Sequence, residues 1–232
     1  MLTQHATALF VTGITHLTLA WVVFRKGSNR LTSSTYALYS VAIAWWSSLE
    51  AIAITKTTAS SALFWWRLNH VGVIFIPIFF VHFVLSLFDA AERQKRKLLV
   101  RIIYGLGFVF LFLDATGLLI QKVVPKFYFR YFIDPGQIYP VFFVAWLGLA
   151  FYGLIELFRI YLSSSEAKRN QLNYFCWSMF FAYIGGVPNF LPTFNVLIPH
   201  LMPFGTYAIP VYAFATAYAI VRHQLMEIEV LV

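Results

Sequence analysis

Apolar residues gather in seven long stretches, at about 6–24, 35–54, 62–88, 98–120, 139–162, 171–190 and 204–222, with short polar connections between them. A helix rises about 1.5 Å per residue, so about 20 residues match a hydrocarbon core about 30 Å thick. Backbone in lipid must satisfy its own hydrogen bonds, which leaves helices or a closed barrel. Barrel strands alternate polar and apolar side chains, and runs such as Val71–Phe88 do not. The pattern predicts an all-α integral membrane bundle of seven transmembrane helices. Residues 1–222 are expected to form one membrane domain, and 223–232 to begin the segment that leaves the membrane.

Composition agrees: 60% of the 232 residues are hydrophobic and 11% charged, where a soluble domain carries about a quarter charged residues. The net charge of +8 would suit nucleic acid, but the basic residues sit between spans. Of the 17 Lys and Arg, twelve fall on one side: Arg25, Lys26, Arg30, Arg93, Lys95, Arg96, Lys97, Arg101, Arg159, Lys168, Arg169 and Arg222. Lys56, Lys122, Lys126 and Arg130 fall on the other, and Arg67 lies inside a span. Positive loops stay cytoplasmic, which puts the N-terminus outside and the C-terminus in the cytoplasm. The clusters serve as anchors to anionic headgroups of membrane lipids, and no nucleic-acid partner is expected. The first span reads as an uncleaved outward-in anchor.

Catalytic machinery is missing from the sequence. It has no phosphate loop, nucleophile elbow or HExxH pair, and Gly105-Leu106-Gly107 reads as close helix packing. Span seven has no lysine for a retinal Schiff base, and the lone Cys176 falls inside span six as a small apolar group. No metal or cofactor is called for, and His16 and His82 read as hydrogen-bonded core histidines.

Ionisable residues in hydrocarbon cost about 2.5–3.5 kcal/mol each on insertion scales, so each needs a reason. Glu50 and Arg67 lie about 6–9 Å from the outer surface on an antiparallel hairpin, where an ion pair between them is sterically reasonable. Trp46 and Glu50 share a face at i,i+4, as do Trp66 and His70. Arg67, His70, Ile74 and Pro77 form a stripe, with Asn69 on a different face. Asp114 reaches a similar depth, and Asn189 follows Gly185, Gly186 and Pro188, where the helix should bend. Two readings stay open. These groups line an outward-facing ligand cavity, or they snorkel, pair structurally and join the aromatic belt. Glu156 is placed to pair with Arg159 at i,i+3.

Two outer connections are positioned to cover such a cavity. Gln121–Ile138 carries the aromatic run 127–132 and then Asp134-Pro135-Gly136, a sequence suited to a turn, and the segment is expected to be a short hairpin lying on the membrane surface. Leu191–Pro203 is uncharged, and its three prolines oppose a regular helix. Beyond it, Val221, Leu225, Ile228 and Val232 follow the spacing of a coiled-coil seam, although Glu227–Val230 would also start a strand.

The motif Trp45-Trp46-Ser47-Ser48-Leu49-Glu50 is followed by Phe64-Trp65-Trp66-Arg67-Leu68-Asn69-His70-Val71-Gly72 and Pro77. Gln171-Leu172-Asn173-Tyr174 opens span six, and Asn189-Phe190-Leu191-Pro192 closes it. Together with the exit Ala217–Ile228, in which Arg222 and Leu225 fit the pattern, the chain resembles the N-terminal seven-helix sensor region of bacterial sensor histidine kinases. The resemblance implies an input module in the bacterial cytoplasmic membrane, dimeric in the full receptor and coupled to a cytoplasmic kinase or other output domain. The chain lacks the family's phosphoacceptor and ATP-binding domains, so it is expected not to be an enzyme. It is either an excised domain or a short family member.

The expectation is therefore a membrane sensor for a small ligand, lipophilic molecules among the candidates. The ligand site is assigned to Trp46, Glu50, Trp66, Arg67, Asn69, His70, Asp114 and Asn189, and the relay to Arg222, Leu225 and Ile228. The alternative is a small transporter or channel, which needs a polar path through the midplane. A purely structural membrane partner is a third reading.

Overall fold

The computed structural model describes residues 2–198, 209, 212–214 and 216. Helices α1 (Leu2–Lys26), α2 (Arg30–Ile54) and α3 (Ala59–Ser86) are joined by short connections. A short helix α4 (Ala90–Lys95) leads into α5 (Lys97–Ala115). Two strands, β1 (Ile120–Lys126) and β2 (Phe129–Pro135), precede α6 (Tyr139–Ser163) and α7 (Glu166–Gly186), and a 3₁₀ helix spans Val187–Phe194.

Five of these helices, α1, α2, α3, α5 and α6, are long and apolar enough to cross a membrane. Their outer faces are apolar too: Ile14, Trp21, Phe64, Phe112, Val144 and Leu162 are all exposed, as acyl chains would require. The helical membrane bundle expected from the sequence is present. α7 does not join the five, because Glu166, Lys168, Arg169, Asn170 and Gln171 make its start polar. It still exposes Trp177, Phe181 and Ile184 on one face. The stretch 204–222 lies outside the described residues except for helical Ile209, Tyr212, Ala213, Phe214 and Thr216. The seam and the relay residues Arg222, Leu225 and Ile228 lie wholly outside them.

α3 is the centre of the bundle, packed against α2, α5, α6 and both strands. Its contact with α2 is close because Gly72 has no side chain. A Cβ there would stand 2.7 Å from the Trp46 nitrogen and 2.8 Å from the Ala42 oxygen. Two bonds lock the pair, Trp45 Nε1 to the Leu68 carbonyl at 2.7 Å and Asn69 Nδ2 to the Trp46 carbonyl at 2.6 Å. Further along α3, Pro77 has no N–H to offer the carbonyl of Val73. Trp146 of α6 takes that place, donating Nε1–H to Val73 O at 2.9 Å.

α5 ends five residues before the apolar stretch does. Gly117 adopts φ +83°, Gly117 N donates to Asp114 O and Leu118 N to Leu113 O, both at 3.0 Å. This is the Schellman closure of a helix, and it turns Leu119 and Ile120 into the hairpin. β1 and β2 pair antiparallel, with Val123 opposite Ile133 and Lys126 opposite Phe129. The hairpin turn falls at Phe127–Tyr128, and a second turn follows Asp134-Pro135-Gly136. That second turn enters α6, and Gly136 N donates to Leu119 O at 2.7 Å.

At the opposite, basic end, buried Glu156 meets Arg159 at 3.1 Å as the spacing predicts, and also Arg96 at 3.0 Å. In α4, Lys95 donates to Glu92 at 2.6 Å and holds its carboxyl below the usual value. His82 Nδ1 meets the Tyr104 hydroxyl at 2.8 Å, as expected of a core histidine. His16 departs from that expectation: it is fully buried beside Tyr212, and neither ring nitrogen finds a partner among the described residues. Cys176 is buried and free.

Candidate functional site

A cavity of about 80 Å³ opens between α2, α3, α6, α7, the hairpin and the 3₁₀ helix. By this measure one water takes about 10–15 Å³, so there is room for several waters or one small molecule. α2 contributes Tyr39, Ile43, Trp46 and Glu50, at i, i+4, i+7 and i+11 on one face. Glu50 and Tyr39 are eleven residues apart, so the cavity runs about 16 Å along the helix axis.

α3 contributes Trp66, Asn69, His70, Val73 and Ile76. This face differs from the stripe that joins Arg67 to His70, and it includes the Asn69 assigned elsewhere. The reason is the close α2–α3 contact: Gly72 draws the helices together, and Asn69 is pulled to the Trp46 carbonyl. α6 adds Tyr139 and Trp146, and α7 adds Ala182, Tyr183 and Gly186. Phe132 and Ile133 of β2 and Phe190 and Thr193 of the 3₁₀ helix cover one end. Buried Lys126 joins the two covers, donating to Thr193 O at 2.9 Å and standing 3.4 Å from Asp134.

Six of the eight residues chosen from the sequence line this cavity: Trp46, Glu50, Trp66, Asn69, His70 and Asn189. Arg67 and Asp114 do not. Arg67 donates to Ile120 O at 3.0 Å, and its guanidinium occupies the space beside Gly117. Asp114 is buried in α5 and forms no ion pair with Arg67. The Glu50–Arg67 pair is therefore replaced. Glu50 faces His5 of α1, with Nε2 3.7 Å from Oε1, and Arg67 turns to the strand. One position along a helix rotates a side chain by about 100°, so Arg67 leaves the face that Trp66 and His70 share.

The polar groups of the cavity are held in place. Trp66 Nε1 donates to Tyr131 O at 3.3 Å. His70 Nδ1 lies 3.1 Å from Trp66 O, and His70 Nε2 lies 3.2 Å from the Tyr139 hydroxyl. Sequence reasoning missed Tyr39, Tyr139, Trp146, Tyr183 and Thr193. Extending the face from Glu50 back through Trp46 and Ile43 would have reached Tyr39. No pattern within the sequence links Tyr139 or Tyr183 to α2. The segment after residue 203 also takes part, through Ile209 and Tyr212.

Fold and cavity define a multi-pass helical membrane protein with a buried, aromatic-walled chamber near one end. Residues 8–229 match the N-terminal 7TM region of histidine kinase, and the chain belongs to that family. It is a membrane sensory input domain, and the matched region is distinct from a catalytic kinase domain. No curated protein matches the chain.

Proposed function

We propose that this chain is the ligand-sensing part of a histidine-kinase-type receptor, with the cavity as its ligand site. The observation that carries the reading is that one chamber is lined both by buried Glu50 and Asn69 and by Tyr212 of the segment leading out of the domain. A ligand that binds one packing of this segment better than another shifts the balance between them. In this reading α7 and the stretch 204–222 complete seven spans. The excess of basic residues at the end opposite the hairpin supports an orientation with the hairpin outside and that end in the cytoplasm, and the receptor reading takes the membrane as a bacterial inner membrane. The seam through Leu225 and Ile228, with Arg222 beside it, then carries the shift to a dimeric output domain.

The test is a full-length receptor carrying Glu50→Ala or Asn69→Ala, with autophosphorylation as readout. Loss or locking of the response supports the cavity as the input site. Unchanged signalling in both variants overturns it.

A further inference from the structure

The chemistry of the cavity wall says what class of ligand it suits. Several of its hydrogen-bond donors are used up within the protein. Trp66 and Trp146 direct their indole N–H groups to the carbonyls of Tyr131 and Val73, and Asn69 directs its amide N–H to Trp46 O. At His70 the Trp66 carbonyl can only accept, so Nδ1 carries the proton. In the neutral ring Nε2 then accepts from the Tyr139 hydroxyl.

Among the groups left over, the Tyr183 hydroxyl can donate or accept, and an amide oxygen and a carboxyl accept. Asn69 Oδ1 is fully buried with no hydrogen-bond partner among the described residues. Glu50 lines the cavity, and its counterpart His5 Nε2 stands 3.7 Å away, beyond hydrogen-bonding distance. No lysine or arginine lines the chamber among the described residues. Arg67, the basic residue adjacent in sequence to Trp66, is held by Ile120. Trp46, Trp66 and Trp146 supply ring surface, which attracts cations through the aromatic quadrupole. An anion would face the Glu50 carboxyl here, with only His5 beside it at 3.7 Å, and a neutral apolar molecule would leave Asn69 Oδ1 without a donor.

We infer that the cavity takes a small organic ammonium ion. Its N–H groups are donated to Glu50 and Asn69, and its apolar tail lies along the aromatic wall toward Tyr39. This rests on the receptor reading above and specifies its ligand class.

The probes are phenethylammonium, 2-phenylethanol and phenylacetate, which share a ring and differ in charge. Each is titrated into the purified protein in neutral-lipid nanodiscs while tryptophan fluorescence is followed. Phenethylammonium is expected to bind about tenfold more tightly than the alcohol, with phenylacetate weakest. Glu50→Gln should bring ammonium and alcohol to about equal affinity, Asn69→Leu should narrow the gap, and Glu92→Gln in α4, outside the cavity, should leave it unchanged. Circular dichroism confirms that each variant keeps its helices. Equal binding of ammonium and alcohol by the wild type, or tightest binding of phenylacetate, overturns the cationic class and leaves the cavity a ligand site. Silence from all three probes in a receptor that Glu50→Ala inactivates also overturns the ligand class alone. Silence combined with unchanged signalling overturns both readings.

Discussion

Trp146 fills the hydrogen-bonding position that Pro77 leaves vacant: its indole N–H reaches the Val73 carbonyl at 2.9 Å, where a non-proline residue at 77 would have donated. A proline inside a membrane helix is tolerated when a neighbour re-satisfies the freed carbonyl. Here that neighbour also forms a wall of the cavity, so a helix defect and the site are built from one contact.

Trp146→Phe keeps most of the ring and removes the donor. It is expected to destabilise the protein by about 1–3 kcal/mol, the penalty of a buried acceptor left unmade. Combined with Pro77→Ala, which restores a backbone donor to Val73, much of that loss should be recovered. Thermal unfolding of the single and double variants in detergent checks this, and equal losses with and without Pro77 would contradict it.

Gly117 is constrained twice, by φ +83° and by the guanidinium of Arg67, which would stand 2.7 Å from a Cβ at this position. Gly117→Ala is expected to cost more than about 1 kcal/mol, since positive φ and the close contact both oppose a side chain. The strain should appear as faster amide exchange at Leu118–Ile120. An unaltered exchange pattern there would show that the α5 closure is not the anchor of the hairpin.

Lys126 ties the hairpin to the 3₁₀ helix, so Lys126→Met should loosen both covers without reaching the far end of the cavity. Limited proteolysis within residues 120–136 is expected to accelerate while cleavage at the α4 connection stays the same. Faster cleavage everywhere would mean a global loss of stability instead.

The α4 connection should respond to pH. Lys95 holds the folded value of Glu92 below its ordinary one, so this pairing stabilises α4 above the unfolded value and is lost as pH falls through the folded one. Amide protection factors in Ala90–Lys95, referenced to the intrinsic exchange rate at each pH, are expected to fall on acidification, and Glu92→Gln should remove that response.

Glu156 couples α6 to the start of α5 through Arg96, and it is buried while Arg159 is largely exposed. Glu156→Gln should therefore lower the unfolding midpoint more than Arg159→Gln does, because only the first leaves Arg96 without its buried carboxylate. Differential scanning fluorimetry of the two variants distinguishes them.

Much of this was legible in the sequence. Long apolar runs define membrane helices because lipid forbids unpaired backbone, and that constraint is local to each segment. Trp46, Glu50, Trp66 and His70 were likewise visible, since i,i+4 spacing puts side chains on one face whatever surrounds them. The hairpin was readable, but the place of its reversal was not: Asp134-Pro135-Gly136 has turn chemistry and precedes the second turn, and the pairing of β1 with β2 put the reversal at Phe127–Tyr128.

What the sequence determined, then, was the solvent, the segments and the polar residues that had to be accounted for inside them. Which of those residues meet was decided by packing. Gly72 brings α2 against α3 and draws Asn69 into the chamber, and the turn at Gly117 carries Ile120 to Arg67 and removes that charge from Glu50. Helical periodicity fixes the angle of a side chain about its own axis, but the face turned inward depends on partners distant in sequence. Only the tertiary structure could therefore pair Glu50 with His5 and give Trp146 to Val73.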